Sequence, residues 1–104
     1  MSIIVVATAV PLPEHRDEVI AAFERAEEIV HASEDGCLLY ALHEAPNGDL
    51  IMIEKYDDQA ALDAHSAGAG IAALMPALKG KLGARLDVKI LTPHPAGSAA
   101  KGVL

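Results

Sequence analysis

Residues 37–56 read CLLYALHEAPNGDLIMIEKY, and their pattern decides the fold. Two runs rich in β-branched and large apolar residues, CLLYALHEA and LIMIEKY, flank Pro46-Asn47-Gly48-Asp49. An Asn-Gly pair between two such runs is the strongest short-range signal for a β-hairpin, because both residues tolerate the positive φ that tight hairpin turns demand. Strict alternation places Cys37, Leu39 and Ala41 on one face of the first strand and Leu38, Tyr40 and Leu42 on the other. In the second strand Ile51 and Ile53 oppose Leu50 and Met52. Both faces are therefore apolar, so both need cover.

Outward from the hairpin the chain supplies the remaining elements. Residues 3–10, IIVVATAV, form a buried strand that ends at PLP. Pro13 suits the first turn of a helix, with Glu14, Asp17 and Glu18 near its positive end. Val19, Ile20, Phe23, Ala26, Ile29 and Val30 then recur at helical spacing up to His31–Ser33. SEDG supplies turn chemistry, and Gly36 opens the hairpin. After the hairpin, Asp57 or Asp58 caps a short helix over DDQAALDAHSA, which GAG at 68–70 interrupts. IAALMPALKGKL carries Pro76 and Gly80 and predicts a short or bent helix. ARLDVKILT alternates Leu86, Val88 and Ile90 against Arg85, Asp87 and Lys89, a fourth strand. The order β-α-β-β-α-β predicts a ferredoxin-like α+β fold over residues 1–92, with a four-stranded antiparallel sheet and a tail over 93–104 that is mobile or laid across a partner. Helices cover one sheet face; a second copy of the chain is expected on the other, giving a homodimer through the β-sheet.

The 104 residues allow one domain. Eight Lys and Arg against fifteen Asp and Glu give a net charge of −7, and no basic cluster stands against it. That balance argues against nucleic acid and against anionic membrane surfaces. The hydrophobic fraction of 52% and mean hydropathy of +0.28 are high for so small a domain, which again suggests an interface. The single cysteine, Cys37, excludes an internal disulfide and a cysteine-based zinc cage, and reads as a small buried strand residue. The apolar start lacks a basic flank and is cut short by Pro11 and Pro13, so no targeting segment is read and a cytoplasmic location is expected.

The run Glu54-Lys55-Tyr56-Asp57-Asp58-Gln59-Ala60-Ala61-Leu62-Asp63-Ala64-His65 resembles the E-x-W/Y-x-D-x-x-A-x-x-x-H signature of antibiotic biosynthesis monooxygenase (ABM) domains. Upstream, Glu34-Asp35-Gly36-Cys37-Leu38-Leu39-Tyr40 resembles that family's E-x-G-x-x-x-Y/F. The similarity spans nearly all of residues 3–92 in the family's element order. It implies a dimeric α+β barrel with a pocket between each sheet and its own helices. It also implies oxidation of quinols, anthrones and related phenolics by O2 with neither metal nor flavin. A branch that isomerises a phosphorylated autoinducer sugar shares the E-x-Y form. A haem-degrading branch uses an Asn on strand one and a Trp on the second helix, where this chain has Ala7 and Thr8 and no Trp at all. The run SAGAGIAAL after His65 and an aromatic fraction of 3% suit a small quinol or a non-aromatic ligand better than a polycyclic one.

Five residues stand out as site candidates. His65 lies two turns into the second helix and can serve as a general base if it faces the sheet; otherwise it is a structural histidine bonded to a carbonyl or standing in water. Glu54 is a charge on the apolar face of Leu50, Met52 and Tyr56, placed either to orient His65 or bind substrate, or to pair with a basic residue. Tyr56 and Tyr40 combine a ring with a hydroxyl, for a pocket or for plain packing. His43, near the strand end, falls on the face of Leu39 and Ala41. No metal and no cofactor are expected, since no H-x-x-x-H spacing and no Gly-rich phosphate loop occur. Three activities remain open: a cofactor-independent monooxygenase of a small phenolic, an acid–base isomerase of a small polar carbonyl compound, and a non-catalytic ligand-binding or dimerisation module.

Overall fold

A computed structural model describes residues 1–104. Strands β1 (Ile3–Ala9), β2 (Cys37–Glu44), β3 (Leu50–Tyr56) and β4 (Asp87–Leu91) form one sheet in the order β2-β3-β1-β4, every neighbour antiparallel. After β1 a single 3-10 turn at Pro13–His15 leads into helix α1 (Arg16–Ser33). Between β3 and β4 lie α2 (Gln59–Ser66) and α3 (Ala69–Leu78). This is the ferredoxin-like α+β arrangement that the order of elements predicts. No helix is long and apolar enough to cross a membrane.

Local chemistry accounts for the boundaries. The hairpin closes through Gly48 N–H to Ala45 O and Ala45 N–H to Asp49 O, both 2.9 Å, with Gly48 at φ 95°. Of the two candidate caps, Asp58 is the one that acts, its carboxylate accepting from Ala61 N–H at 2.9 Å. Gly68 is the N-cap of α3, so the GAG run divides two helices as expected. Residues 93–104 contain neither helix nor strand.

One sheet face packs on the helices. Val19, Phe23, Ala26 and Val30 from α1 and Leu74 and Leu78 from α3 meet Ala7, Ala9, Tyr40, Leu50 and Met52. Strand β2 departs from strict alternation. Its register shifts between Cys37 and Leu39, so Cys37 pairs with Tyr56 and Leu39 with Lys55. A bulge adds one residue to a strand and flips the facing of every residue beyond it. Cys37 therefore shares the helix-facing side with Tyr40 and Leu42, not the side of Leu39 and Ala41, and it is half-buried, while Leu38 at the bulge is 52% exposed. The outer face carries Val6, Leu39, Ala41, Ile51 and Ile53, all partly exposed.

Two glycines set how closely the helices approach. A Cβ at Gly36 would stand 2.6 Å from the Ala61 Cβ on α2, and one at Gly70 would stand 2.7 Å from Val30 Cγ2 on α1. Ala61 has no rotamer to yield, so Gly36→Ala forces α2 away from the start of β2. We expect a loss of about 1–3 kcal/mol, seen as a fall in Tm of roughly 4–8 °C per kcal/mol for a domain near this size. An unchanged melting curve would mean that α2 slides freely on the sheet.

Candidate active site

Between the helix-facing side of the sheet and the helices lies a cavity of about 380 Å3. Ala7 in the middle of β1 lines it beside Val5 and Met52, and its small side chain leaves the hollow that a larger residue would fill. Phe23 of α1 and Ile71, Leu74 and Met75 of α3 form the roof. Leu86, Val88 and Ile90 flank the mouth; Val88 and Ile90 remain 51% and 63% exposed, because β4 projects beyond the helices. Twelve of the seventeen lining residues are hydrophobic, so the cavity suits an apolar ligand. No Lys or Arg lines it.

The polar groups gather at one end. Strand alternation puts Glu54 on one face with Leu50, Met52 and Tyr56, as the sequence predicts, and the fold turns that face to the helices. Its register partner on β2 is Tyr40 and on β1 is Val5. His65 comes from α2, one helical turn after Leu62, and both are buried. The Tyr56 hydroxyl donates to Glu54 Oε1 at 2.6 Å. His65 Nε2 stands 3.8 Å from the same oxygen, beyond hydrogen-bond length but within reach of a bridging oxygen atom. The imidazole is held between two rings, with centroids 5.2 Å from Tyr40 and 5.1 Å from Tyr56.

Behind His65 stands Glu34. Its Oε1 lies 2.7 Å from His65 Nδ1, with side-chain exposures of 12% and 5%. A carboxylate accepts, so Nδ1 donates a proton to Glu34 and Nε2 is the ring nitrogen turned toward the cavity. Glu34 was not among the residues singled out from the sequence, although it opens the E-x-G run. The structure supplies the reason for that spacing. Gly36 lets α2 approach β2, and the approach brings His65 within reach of Glu34.

Burial sets the charge states around this end. Glu54 is held above the usual carboxylate range chiefly by burial, with Glu34 adding to the shift and the Tyr56 hydrogen bond and His65 opposing it. Tyr40 and Tyr56 are both raised, first by burial, and for Tyr56 also by its hydrogen bond to Glu54. Both therefore remain neutral hydroxyls at physiological pH. Burial pushes the Cys37 thiol up to about 11, which leaves it a protonated, inert neighbour.

Four of the five candidates converge: Glu54, His65 and Tyr40 line the cavity, and Tyr56 lies directly behind Glu54, fully buried. His43 does not join them. It pairs with Ile51 on the outer face, exposed, with Nδ1 3.0 Å from Ala41 O. Alternation had placed it on that side, and a substrate in the cavity does not reach it. Gln59, Asp63 and Ser66 add a polar rim along α2 that sequence reasoning passed over, because exposed polar residues on a helix carry no signal of their own.

Comparison with known proteins agrees with this fold. The family model for antibiotic biosynthesis monooxygenases matches residues 2–77. The chain is similar to Rv0793 from Mycobacterium tuberculosis, at 27% identity and a TM-score of 0.84 over 94% of this chain and 100% of that one. A conserved protein from Methanosarcina mazei Go1 superposes with a TM-score of 0.80 at 25% identity, over 88% and 91% of the two chains. A solved structure named antibiotic biosynthesis monooxygenase gives 0.81 at 27% identity, over 89% and 99%. No curated protein matches the chain in sequence.

The raised Glu54 predicts a pH dependence of stability. Below about its ordinary value of 4.5 the carboxyl is protonated in both folded and unfolded chains, and its burial costs least. As pH rises above 4.5 the unfolded chain ionises first, so stability falls until pH passes the raised folded value. Glu54→Gln keeps an acceptor for Tyr56 and has nothing to ionise. Urea titrations from pH 4.5 to 8 should show the variant gaining on the native chain as pH rises. Parallel curves would mean that Glu54 ionises without penalty.

Proposed function

The chain belongs to the antibiotic biosynthesis monooxygenase family, and from that footing we propose that it is a cofactor-independent monooxygenase of a small quinol or phenol. One feature carries the proposal: an imidazole whose Nδ1 is engaged by Glu34 and whose Nε2 faces an apolar cavity. A sugar phosphate fits poorly, since the titratable groups lining the cavity are Glu54, Asp63 and His65 beside the neutral Tyr40, with no Lys or Arg to receive a phosphate. An open cavity of about 380 Å3 likewise favours a bound small molecule over a filled, purely structural interior.

His65 Nε2 takes the proton from one quinol hydroxyl. The phenolate, in a dry site, is electron-rich enough to reduce O2 directly. One electron passes to O2, and the superoxide and substrate radicals combine to form a C–O bond at the ring. The O–O bond then breaks. One oxygen stays on the ring, and the other leaves as water with the proton returned by His65 and the one released from the ring system. The quinol gives up four electrons in all, two on oxidation to the quinone level and two to the inserted oxygen. It is its own reductant, and the balance closes without a cofactor. Glu54, steadied by Tyr56, accepts a hydrogen bond from or donates one to the substrate's second oxygen, and the Tyr40 ring packs against His65 at the same end.

A second copy of the chain belongs to the same proposal. Val6, Leu39, Ala41, Ile51 and Ile53 form an apolar outer face that the helices do not cover, which supports a homodimer joined through its sheets. Sedimentation should give a two-chain species at micromolar concentration; a monomer would remove the dimer.

Oxygen consumption by metal-stripped protein, against quinols, anthrones and simple phenols, tests the activity. Uptake well above the autoxidation blank is expected for a compact quinol, and a flat trace across the panel would refute the reading. His65→Ala should lower turnover by about 10²–10⁴-fold with the circular dichroism spectrum unchanged. Full activity in that variant would remove His65 from the mechanism.

A further inference from the structure

The Glu34–His65 pair crosses a wall between two separate hollows. His65 lines the apolar cavity, while Glu34 lines a crevice of about 370 Å3 on the other side, and the two share no lining residue. The crevice is walled by small groups, Gly36, Ala61, Ala64, Gly68 and Ala69. Glu34 is held rigidly in it. Its backbone N–H donates to Val30 O at 3.0 Å and its carbonyl accepts from Cys37 N–H at 3.1 Å. Its Oε2 is buried with no donor from the chain, lying where a Cβ on Gly68 would come within 3.2 Å. One carboxylate oxygen is thus committed to the imidazole and the other is turned to the start of α3, where backbone N–H groups favour negative charge.

We infer that Glu34 is the positioning residue of His65, fixing its Nδ1-protonated tautomer and balancing its charge, and that its side chain stands between His65 and the rear crevice, so that removing it opens that crevice rather than the substrate cavity to Nδ1. The inference rests on the proposed role of His65 as base. When Nε2 takes a substrate proton, the charge that appears on the ring faces an anion 2.7 Å away on a rigid mount.

Removing Glu34 and supplying a carboxylate from solution tests this. In Glu34→Ala, long-range 15N NMR of the ring should show His65 losing its single Nδ1–H form, and formate should restore it. In turnover, kcat should fall roughly 10²-fold or more with KM nearly unchanged, and formate should recover kcat without competing with the quinol. An unaltered His65 tautomer in Glu34→Ala would overturn the inference, as would rescue by formate that competes with substrate. Should Glu34→Ala not fold, Glu34→Gln preserves the volume. Its amide both donates and accepts, so His65 should divide between tautomers; an unchanged Nδ1–H signal with unchanged kcat would overturn the inference. The NMR arm reads the ring whether or not the protein consumes O2. A flat oxygen trace therefore strikes the monooxygenase reading alone, and an unaltered tautomer strikes this one.

Discussion

The hydrogen bond between Glu34 and His65 is the constraint around which the functional end of the molecule is arranged. It joins the cap of α1 to the last turn of α2, two elements with little else in common, in a region where an unpaired carboxylate or imidazole would be costly. The small residues nearby answer to it. Gly36 lets α2 close on β2, and Gly68 leaves room for the second carboxylate oxygen. Tyr40 and Tyr56 flank the ring and leave it one orientation. A catalytic group is precise to the degree that its neighbours deny it alternatives, and here an anion and two aromatic rings do so.

The cavity arises from the sheet's asymmetry. Four strands are covered by three helices, yet β4 projects past them, so the interior opens along that edge. Polar groups sit at the β2–β3 end and apolar ones at the β4 end. A ligand entering past Val88 and Ile90 would bury its apolar body first and meet His65 and Glu54 last. Ala7 leaves room beneath the roof of Phe23, Ile71, Leu74 and Met75, and the scarcity of large aromatics leaves the space wide relative to so small a domain.

Much of the fold is legible in the chain's local patterns. The Asn-Gly hairpin, the apolar repeat of α1, the Pro13 start and the GAG break each rest on backbone chemistry that operates within a few residues. Glu54 is legible as a charge sharing a face with Leu50, Met52 and Tyr56 because strand alternation is a local rule, while the choice of which apolar face turns to the helices is not local. Cys37 was misplaced because a bulge is decided by how two strands fit, which one strand's pattern does not contain. Glu34 was overlooked for a related reason: its partner lies thirty-one residues away on another element.

By itself, then, the sequence determined the order of elements, the sheet's two apolar faces and the sharing of one face by Glu54, Leu50, Met52 and Tyr56. Side-chain periodicity and turn chemistry encode these directly. Only the tertiary structure decided that His65 meets Glu34, that Tyr56 backs Glu54, that His43 stands apart, and that two hollows rather than one adjoin the Glu34–His65 pair. Those outcomes depend on distances between elements remote in the chain. Glycine and alanine contacts at helix–strand crossings set such distances to within an ångström, and no local pattern records them.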